Sequence, residues 1–320
     1  MFADKTELKK YKPWIMNRAD PYVYKHVDGT YFFTASVPEY DRIILRRSET
    51  LAGLADAEEH IIWEKHESGV MSAHIWAPEI HCIEDRWYIY FAAGEKEDIW
   101  NIRPFVLECK GDPVAGKWEE RGKIQRAADD MYSFGSFSLD ATTFDVNGRR
   151  YLVWAEKPGR SDQVSNLYIA EMESPVKLKS AQVMLTSPDY DWERVEYWVN
   201  EGPAALIKNG KVYLTYSASA TGSCYCVGML TADQDADLLD PRSWKKSRYP
   251  IMKSDPDRGV FGPGHNSFTV SEDGKDIMVF HARQYEKITG DPLYDPNRHA
   301  MLAEVHWDMH GDPYFEPYLY

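Results

Sequence analysis

Five times along this 320-residue chain a polar residue leads a short apolar run, and a tight turn and a second apolar run follow. The leading residues are Asp20, Glu79, Asp140, Glu201 and His265, which lie 59, 61, 61 and 64 residues apart. The turns begin at Asp28-Gly29, Asp85-Arg86, Asn147-Gly148, Asn209-Gly210 and Asp273-Gly274 and keep nearly the same period. A repeat of this size is one supersecondary unit that cannot bury its apolar faces alone, so successive units must stack. Asn-Gly and Asp-Gly between apolar runs signal hairpins, because a type I′ turn needs positive φ at both central residues. The runs after the turns (31–36, 87–92, 151–155, 212–217 and 277–281) are rich in aromatic and β-branched residues and predict strands. Weaker third strands are expected at 42–46, 105–108, 166–170, 225–230 and 300–305. Three or four strands in each of five units predict an all-β chain, a single five-bladed β-propeller over residues 1–320. Helix is expected only as a turn or two within 49–60. The segment Tyr11 to Met16 is expected to lend a strand to the closing blade.

In a propeller the first strand of each blade lines the central channel, so equivalent first-strand residues meet at its mouth. Asp20, Glu79, Asp140, Glu201 and His265 are therefore expected to converge. Carboxyls crowded around one cavity raise one another's pKa by repulsion and desolvation, so one stays protonated near neutral pH. One protonated and one ionised carboxyl is what glycoside hydrolysis requires. The sequence holds no Walker loop, dinucleotide fingerprint or His-Glu-x-x-His helix. A formal charge of −14 speaks against nucleic acid as a partner, and no uncharged run approaches a membrane span. Residues Met1 to Lys10 have no apolar core of the signal-peptide kind, and Cys82, Cys109, Cys224 and Cys226 are few for the length; a cytoplasmic protein is expected. Cys224 and Cys226 share one face of a strand, but no second pair completes a zinc site.

Arg18-Ala-Asp-Pro-Tyr, Trp76-Ala-Pro-Glu, Ser138-Leu-Asp-Ala, Asn200-Glu-Gly-Pro and Gly262-Pro-Gly-His-Asn resemble the signatures of glycoside hydrolase family 43, in the family's order and over nearly the whole chain. The resemblance implies a five-bladed propeller of inverting enzymes acting on arabinose- and xylose-containing glycans. It implies Asp20 as the general base on water, Glu201 as the general acid, and Asp140 as the third carboxylate that holds the acid's pKa and orientation. A base on the first blade and an acid on the fourth face each other across the pocket, with room for the water that inversion needs.

No cofactor is expected to be required. By the resemblance, His265 sits near the axis and in some members binds a calcium or sodium ion, with a hydrogen-bonded channel histidine as the plain alternative. Glu79 is expected in the pocket wall or the axial water network. Arg283 is expected to reach a sugar hydroxyl or Asp140, with a surface salt bridge as the alternative. Trp76, Trp198, Phe33 and Trp100 are candidates for stacking on sugar; for Phe33 and Trp100 a place in the core is favoured. The expected activity is that of an exo-acting α-L-arabinofuranosidase releasing terminal arabinose from arabino-oligosaccharides or arabinoxylan fragments. β-Xylosidase and arabinanase activities share the same acids, and a sugar-binding propeller without catalysis would need neither acid nor base.

Overall fold

Every predicted hairpin forms in the computed structural model, which describes residues 10–159 and 162–317; what was read from residues 1–9 lies outside them. Blade 1 consists of Ala19–Lys25, Tyr31–Ser36, Arg42–Ser48 and His60–Glu64. Blade 2 follows with Ala73–Ile83, Arg86–Glu95, Asp98–Lys110 and Trp118–Lys123. Blade 3 holds Ser138–Val146, Arg149–Glu156 and Val164–Ser174, edged by the short strands Lys177–Leu178 and Val183–Thr186. Blade 4 is Trp198–Lys208, Lys211–Ala218, Cys226–Asp233 and Lys245–Lys246. Blade 5 is Phe261–Val270, Asp276–Arg283, His299–Trp307 and Pro313–Pro317. Each first strand runs antiparallel to the second. The first strands touch one another in ring order, that of blade 1 meeting those of blades 2 and 5. The result is a five-bladed β-propeller.

Why the second strands read as unbroken apolar runs follows from this stacking. Tyr31 and Phe33 enter the core between blades 5 and 1, while Phe32 between them enters the core between blades 1 and 2. In blade 2, Ile89 faces blade 1 and Tyr90 faces blade 3. A strand buried on both faces cannot alternate with polar residues. Two further apolar cores fill the 3–4 and 4–5 interfaces.

The turns are more varied than expected. Asn147-Gly148 and Asn209-Gly210 have positive φ at both residues, as type I′ requires. In blade 2 the left-handed pair is Glu84-Asp85, one residue earlier than read. In blades 1 and 5 only Gly29 and Gly274 are left-handed, and the loops are wider, with Lys25 paired to Tyr31 and Val270 to Asp276. The expected helical turn is a single 3-10 turn at Ala52–Ala55, and among the described residues there is no α-helix.

The ring closes by a latch. Ile15 forms one antiparallel bridge with Ala300, and Trp14 N–H also donates to the Ala300 carbonyl at 2.8 Å. The expected donated strand is corrected here: blade 5 takes its fourth strand from its own Pro313–Pro317. Pro13 removes a ladder donor and Asn17 turns left-handed, so the extended stretch is too short to pair further.

Candidate active site

Each first strand carries a β-bulge, in which two residues oppose one on the second strand, and those of blades 2 and 5 carry a second one earlier in the strand. At the bulge that all five blades share, the first bulged residue is left-handed: Asp20 (φ 52°), Ala77 (46°), Asp140 (55°), Gly202 (53°) and His265 (42°). A bulge re-aims the chain at a barrel or channel rim, and here it turns three of these side chains toward one another. The phase read from the sequence needs correction at two blades. Asp20, Asp140 and His265 are equivalent; Glu201 stands one residue before its bulge and Glu79 two residues after.

Asp20, Asp140, Glu201 and His265 line one pocket of about 600 Å³ at the mouth of the channel, with Trp76, Trp100, Phe137, Tyr197, Tyr225 and Arg298 among its other walls. Ser36 Oγ donates to Asp20 Oδ2 at 2.5 Å and accepts from Ala77 N–H at 2.8 Å, so the hydroxyl is aimed at the carboxylate. His265 Nδ1 lies 3.2 Å from Asp20 Oδ1 and 3.8 Å from Asp140 Oδ2. Arg298 Nη1 is 3.6 Å from Asp20 Oδ1, while its Nη2 donates to Tyr40 Oη at 2.6 Å. His281 Nδ1 accepts from the Asp20 N–H at 3.0 Å, so it has no proton to give the carboxylate oxygen 3.3 Å away.

Burial alone would raise the pKa of Asp20, but His265 and Arg298 outweigh it and hold the carboxyl well below its ordinary range. His281 is pushed down to about 3 by burial and by the two cations beside it, and is neutral. The other two acids go the opposite way. Asp140 is raised to about 8 by burial and by repulsion from Glu201 and Asp20, against the pull of His265 and of the Gly202 N–H at 3.0 Å. Burial likewise raises Glu201, which accepts from Tyr225 Oη at 2.8 Å. Together they keep a proton near neutral pH while Asp20 has none. His265 resists the effect of burial because Asp20, Asp140 and Glu201 surround it, and its pKa is raised.

Two glycines make this fit. A Cβ on Gly264 would run into the ring of Tyr225, the residue that holds Glu201. A Cβ on Gly202 would lie 3.0–3.3 Å from the His265 ring.

Trp76 lies in the pocket wall, stacked on His74 with centroids 4.3 Å apart. Trp100 is not in the core: it lines the pocket and is 50% exposed. Phe33 does belong to the core, edge-on to Trp14 in the 5–1 interface, and cannot touch a sugar. Trp198 is exposed on the neighbouring surface with the Arg194 guanidinium 4.6 Å from its ring, and the pocket takes Tyr197 and Val199 on either side of it, successive strand residues such as Trp198 and Val199 pointing apart. Arg283 reaches neither sugar nor Asp140. It is buried, pairs with Asp295 at 3.1 Å, and donates to the carbonyls of Thr221 and Pro292. Glu79 is buried against His81 at 3.1 Å, away from the pocket lining. Reading the sequence missed Arg298, Tyr225, Ser36 and His281; the one available signal was an arginine beside the fifth blade's apolar third strand.

Among the described residues no group of three or more His, Cys, Asp or Glu side chains is arranged to hold a metal ion. A cation at His265 would meet a ring whose Nδ1 faces two carboxylates and whose raised pKa favours the protonated form. Ligation there would require His265 to give up that proton.

A model of the family described as Glycosyl hydrolases family 43 matches residues 12–313. The chain is 54% identical over 305 residues to an extracellular exo-α-(1→5)-L-arabinofuranosidase of Streptomyces avermitilis, covering 95% of this chain and 62% of that protein. It is 52% identical over 282 residues to the enzyme of the same name from Streptomyces chartreusis, covering 88% and 84%. The solved α-L-arabinofuranosidase of Lactobacillus brevis superposes with a TM-score of 0.89 at 50% identity, over 97% of this chain and 98% of that one. The chain thus spans less than two thirds of the Streptomyces avermitilis protein. Two of these relatives are named extracellular, which overturns the expected cytoplasmic location. The cysteines did not require a reducing compartment either: burial holds the thiols of Cys109 and Cys226 above their ordinary pKa, and a protonated thiol oxidises slowly.

Proposed function

The chain belongs to glycosyl hydrolases family 43, and on that premise we propose that it is a secreted, exo-acting α-L-arabinofuranosidase that removes terminal arabinofuranose from arabino-oligosaccharides with inversion. The observation that carries the reading is the split within one pocket: Asp20 stands 3.2 Å from His265 and 3.6 Å from Arg298, which depress its pKa, while burial and neighbouring acids raise those of Asp140 and Glu201, so that this pair shares a proton. In the mechanism we assign, Asp20 takes a proton from a water that attacks the anomeric carbon. Glu201 protonates the departing glycosidic oxygen, and Asp140, through the Gly202 N–H and its own charge, keeps the acid placed and protonated. A retaining path would need a carboxylate bonded to the anomeric carbon; Asp20 lies on blade 1 and Glu201 on blade 4, an arrangement that suits an intervening water. Acid, base and water suffice for this hydrolysis. A sugar-binding propeller would have no use for the opposed protonation states.

Two measurements test the reading. Hydrolysis of 4-nitrophenyl α-L-arabinofuranoside should far exceed that of the β-D-xyloside, and the reverse preference would reassign the sugar. Proton NMR of a fresh digest should show the anomer opposite to the substrate's before mutarotation. A product of retained configuration would sink the role given to Asp20.

A further inference from the structure

The mouth of the pocket is built differently on its two sides. On the blade 5 side the edge is closed by Asp291 and Leu293, around a 3-10 turn at Pro292–Tyr294. That edge is braced from below: Tyr40 Oη donates to the Leu293 carbonyl at 2.5 Å and Arg283 Nη2 to the Pro292 carbonyl at 2.6 Å. On the side of blades 2 and 3 the edge is aromatic. Trp100 stands near the start of blade 2's third strand, just past the hairpin turn from the second, and half of its surface is open to solvent.

This hairpin is held stiffly. His74 Nδ1 meets the Ile99 carbonyl at 3.0 Å, Lys96 N–H donates to Ser72 Oγ at 2.7 Å, and Asn101 Nδ2 donates to Glu95 Oε1 at 3.0 Å. The Trp100 ring centroid lies 5.0 Å from that of His74, 6.1 Å from that of Trp76 and 6.5 Å from that of Phe137. Lys157 Nζ sits 5.1 Å from the Phe137 ring. A ladder of rings therefore climbs from the pocket wall at Trp76 to the rim at Trp100 and Phe137, with an ammonium at its end. An indole left half exposed on a braced hairpin is poor economy for folding and good surface for a ligand.

We propose that Trp100 and Phe137 form the subsite for the sugar on the leaving-group side of the scissile bond, with Lys157 donating to its hydroxyls. The inference rests on the arabinofuranosidase reading and deepens it. The terminal arabinofuranose enters the acid-lined pocket, and the rest of the oligosaccharide runs out over blades 2 and 3, because the braced edge blocks blade 5. Sugar faces present C–H groups that pack on rings, and the ammonium supplies the polar contact that an aromatic wall lacks.

The test compares two substrates of Trp100→Ala, Phe137→Ala and wild type: α-1,5-linked arabinotriose, and α-L-arabinofuranosyl fluoride, whose leaving group is a single atom. The ratio of kcat/KM for arabinotriose to that for the fluoride should fall about tenfold in Trp100→Ala, the size of one aromatic contact. It should fall by a smaller factor in Phe137→Ala, and Trp100→Tyr should recover most of the loss. Circular dichroism and melting temperature separate these effects from misfolding, which would lower both rates together. An unchanged ratio in both alanine variants overturns the subsite while leaving the arabinofuranosidase reading intact. A wild-type protein that cleaves neither substrate overturns both.

Discussion

Asp20 and Asp140 occupy the same bulge position two blades apart, are both buried, and still have their pKa values moved in opposite directions. The cause lies in what each blade brings. Asp20 faces blade 5, which presents His265 and Arg298, and it receives the Ser36 hydroxyl from its own blade. Asp140 faces blade 4, which presents Glu201 and one backbone N–H. Equal burial raises both carboxyls; two cations reverse the effect for one, and a third acid reinforces it for the other. A repeat fold thus makes a base and one half of a proton-sharing pair from the same residue type, chiefly by varying the neighbouring blade.

The largest way to break this comparison is to remove the groups themselves. Asp20→Asn should cost about 10³–10⁴ in kcat/KM with every leaving group, since water then lacks a base. Glu201→Gln should lose as much on arabinotriose but far less on a dinitrophenyl arabinofuranoside, which leaves without a proton. A series of aryl arabinofuranosides with graded leaving-group pKa reads the difference as a steeper slope for Glu201→Gln alone. Parallel slopes in the two variants would strip Glu201 of its role as acid.

The pH profile sharpens the same contrast. Activity needs Asp20 ionised and the Asp140–Glu201 pair holding a proton. Asp20 is depressed, so its ionised form persists to low pH, and the acidic limb should lie below the ordinary carboxylate range. The pair is raised, so the needed proton is lost as pH climbs through about 8, which sets the basic limb. Asp140→Asn removes a negative neighbour of Glu201 and should move the basic limb down, with roughly a tenfold loss of rate on its descending side for each unit moved. A basic limb that stays in place in this variant would mean the proton is held elsewhere.

These pairings were only half legible in the sequence. The second strands stand where the aromatic and β-branched runs put them, because a strand buried on both faces needs such residues throughout; Tyr31–Ser36 is a full match. The convergence of Asp20, Asp140 and His265 was also legible, since equal spacing places equal bulge positions on one rim. Bulge register was not. The position tolerates any residue that accepts a left-handed backbone, so Ala77 and Gly202 fill it silently while Glu79 and Glu201, the nearest polar residues, stand in for them by eye. Arg298 escaped for another reason. It comes from the loop before the fifth blade's third strand and reaches Asp20 across 278 residues of sequence (20 to 298), a contact that no local pattern records. Phe33 looked like a ring available to sugar only because its two-faced burial cannot be seen without the neighbouring blade.

A smaller effect tests the support beneath Glu201. Gly264→Ala sets a methyl group against the Tyr225 ring, and such overpacking costs about 1–3 kcal/mol. Melting temperature should fall, and kcat should fall with it because the tyrosine that holds Glu201 is displaced. Tyr225→Phe, which keeps the packing and removes only the hydroxyl, should lower kcat with little change in melting temperature. If Tyr225→Phe were as active as wild type, the hydrogen bond at 2.8 Å would carry no catalytic weight.

The smallest effect is expected at Gly202, which bears on both corners. Its N–H donates to Asp140 Oδ2, and its Cα lies against the imidazole that faces Asp20. Gly202→Ala adds a left-handed alanine, costing about 1–2 kcal/mol, and a methyl group 3.0–3.3 Å from the His265 ring, which must shift by a few tenths of an ångström. Moving that ring away from Asp20 weakens one of the two cations that depress its pKa. The carboxyl then rises toward its ordinary value, and the acidic limb of kcat/KM should rise by less than about one unit. Arg298 still faces Asp20, so the depression shrinks without vanishing. Because the three atoms nearest the added methyl group all belong to His265, the basic limb should move less than the acidic one. A basic limb that moved more would place the influence of Gly202 on Asp140 rather than on His265, and the two corners would then be less independent than their distinct neighbours imply.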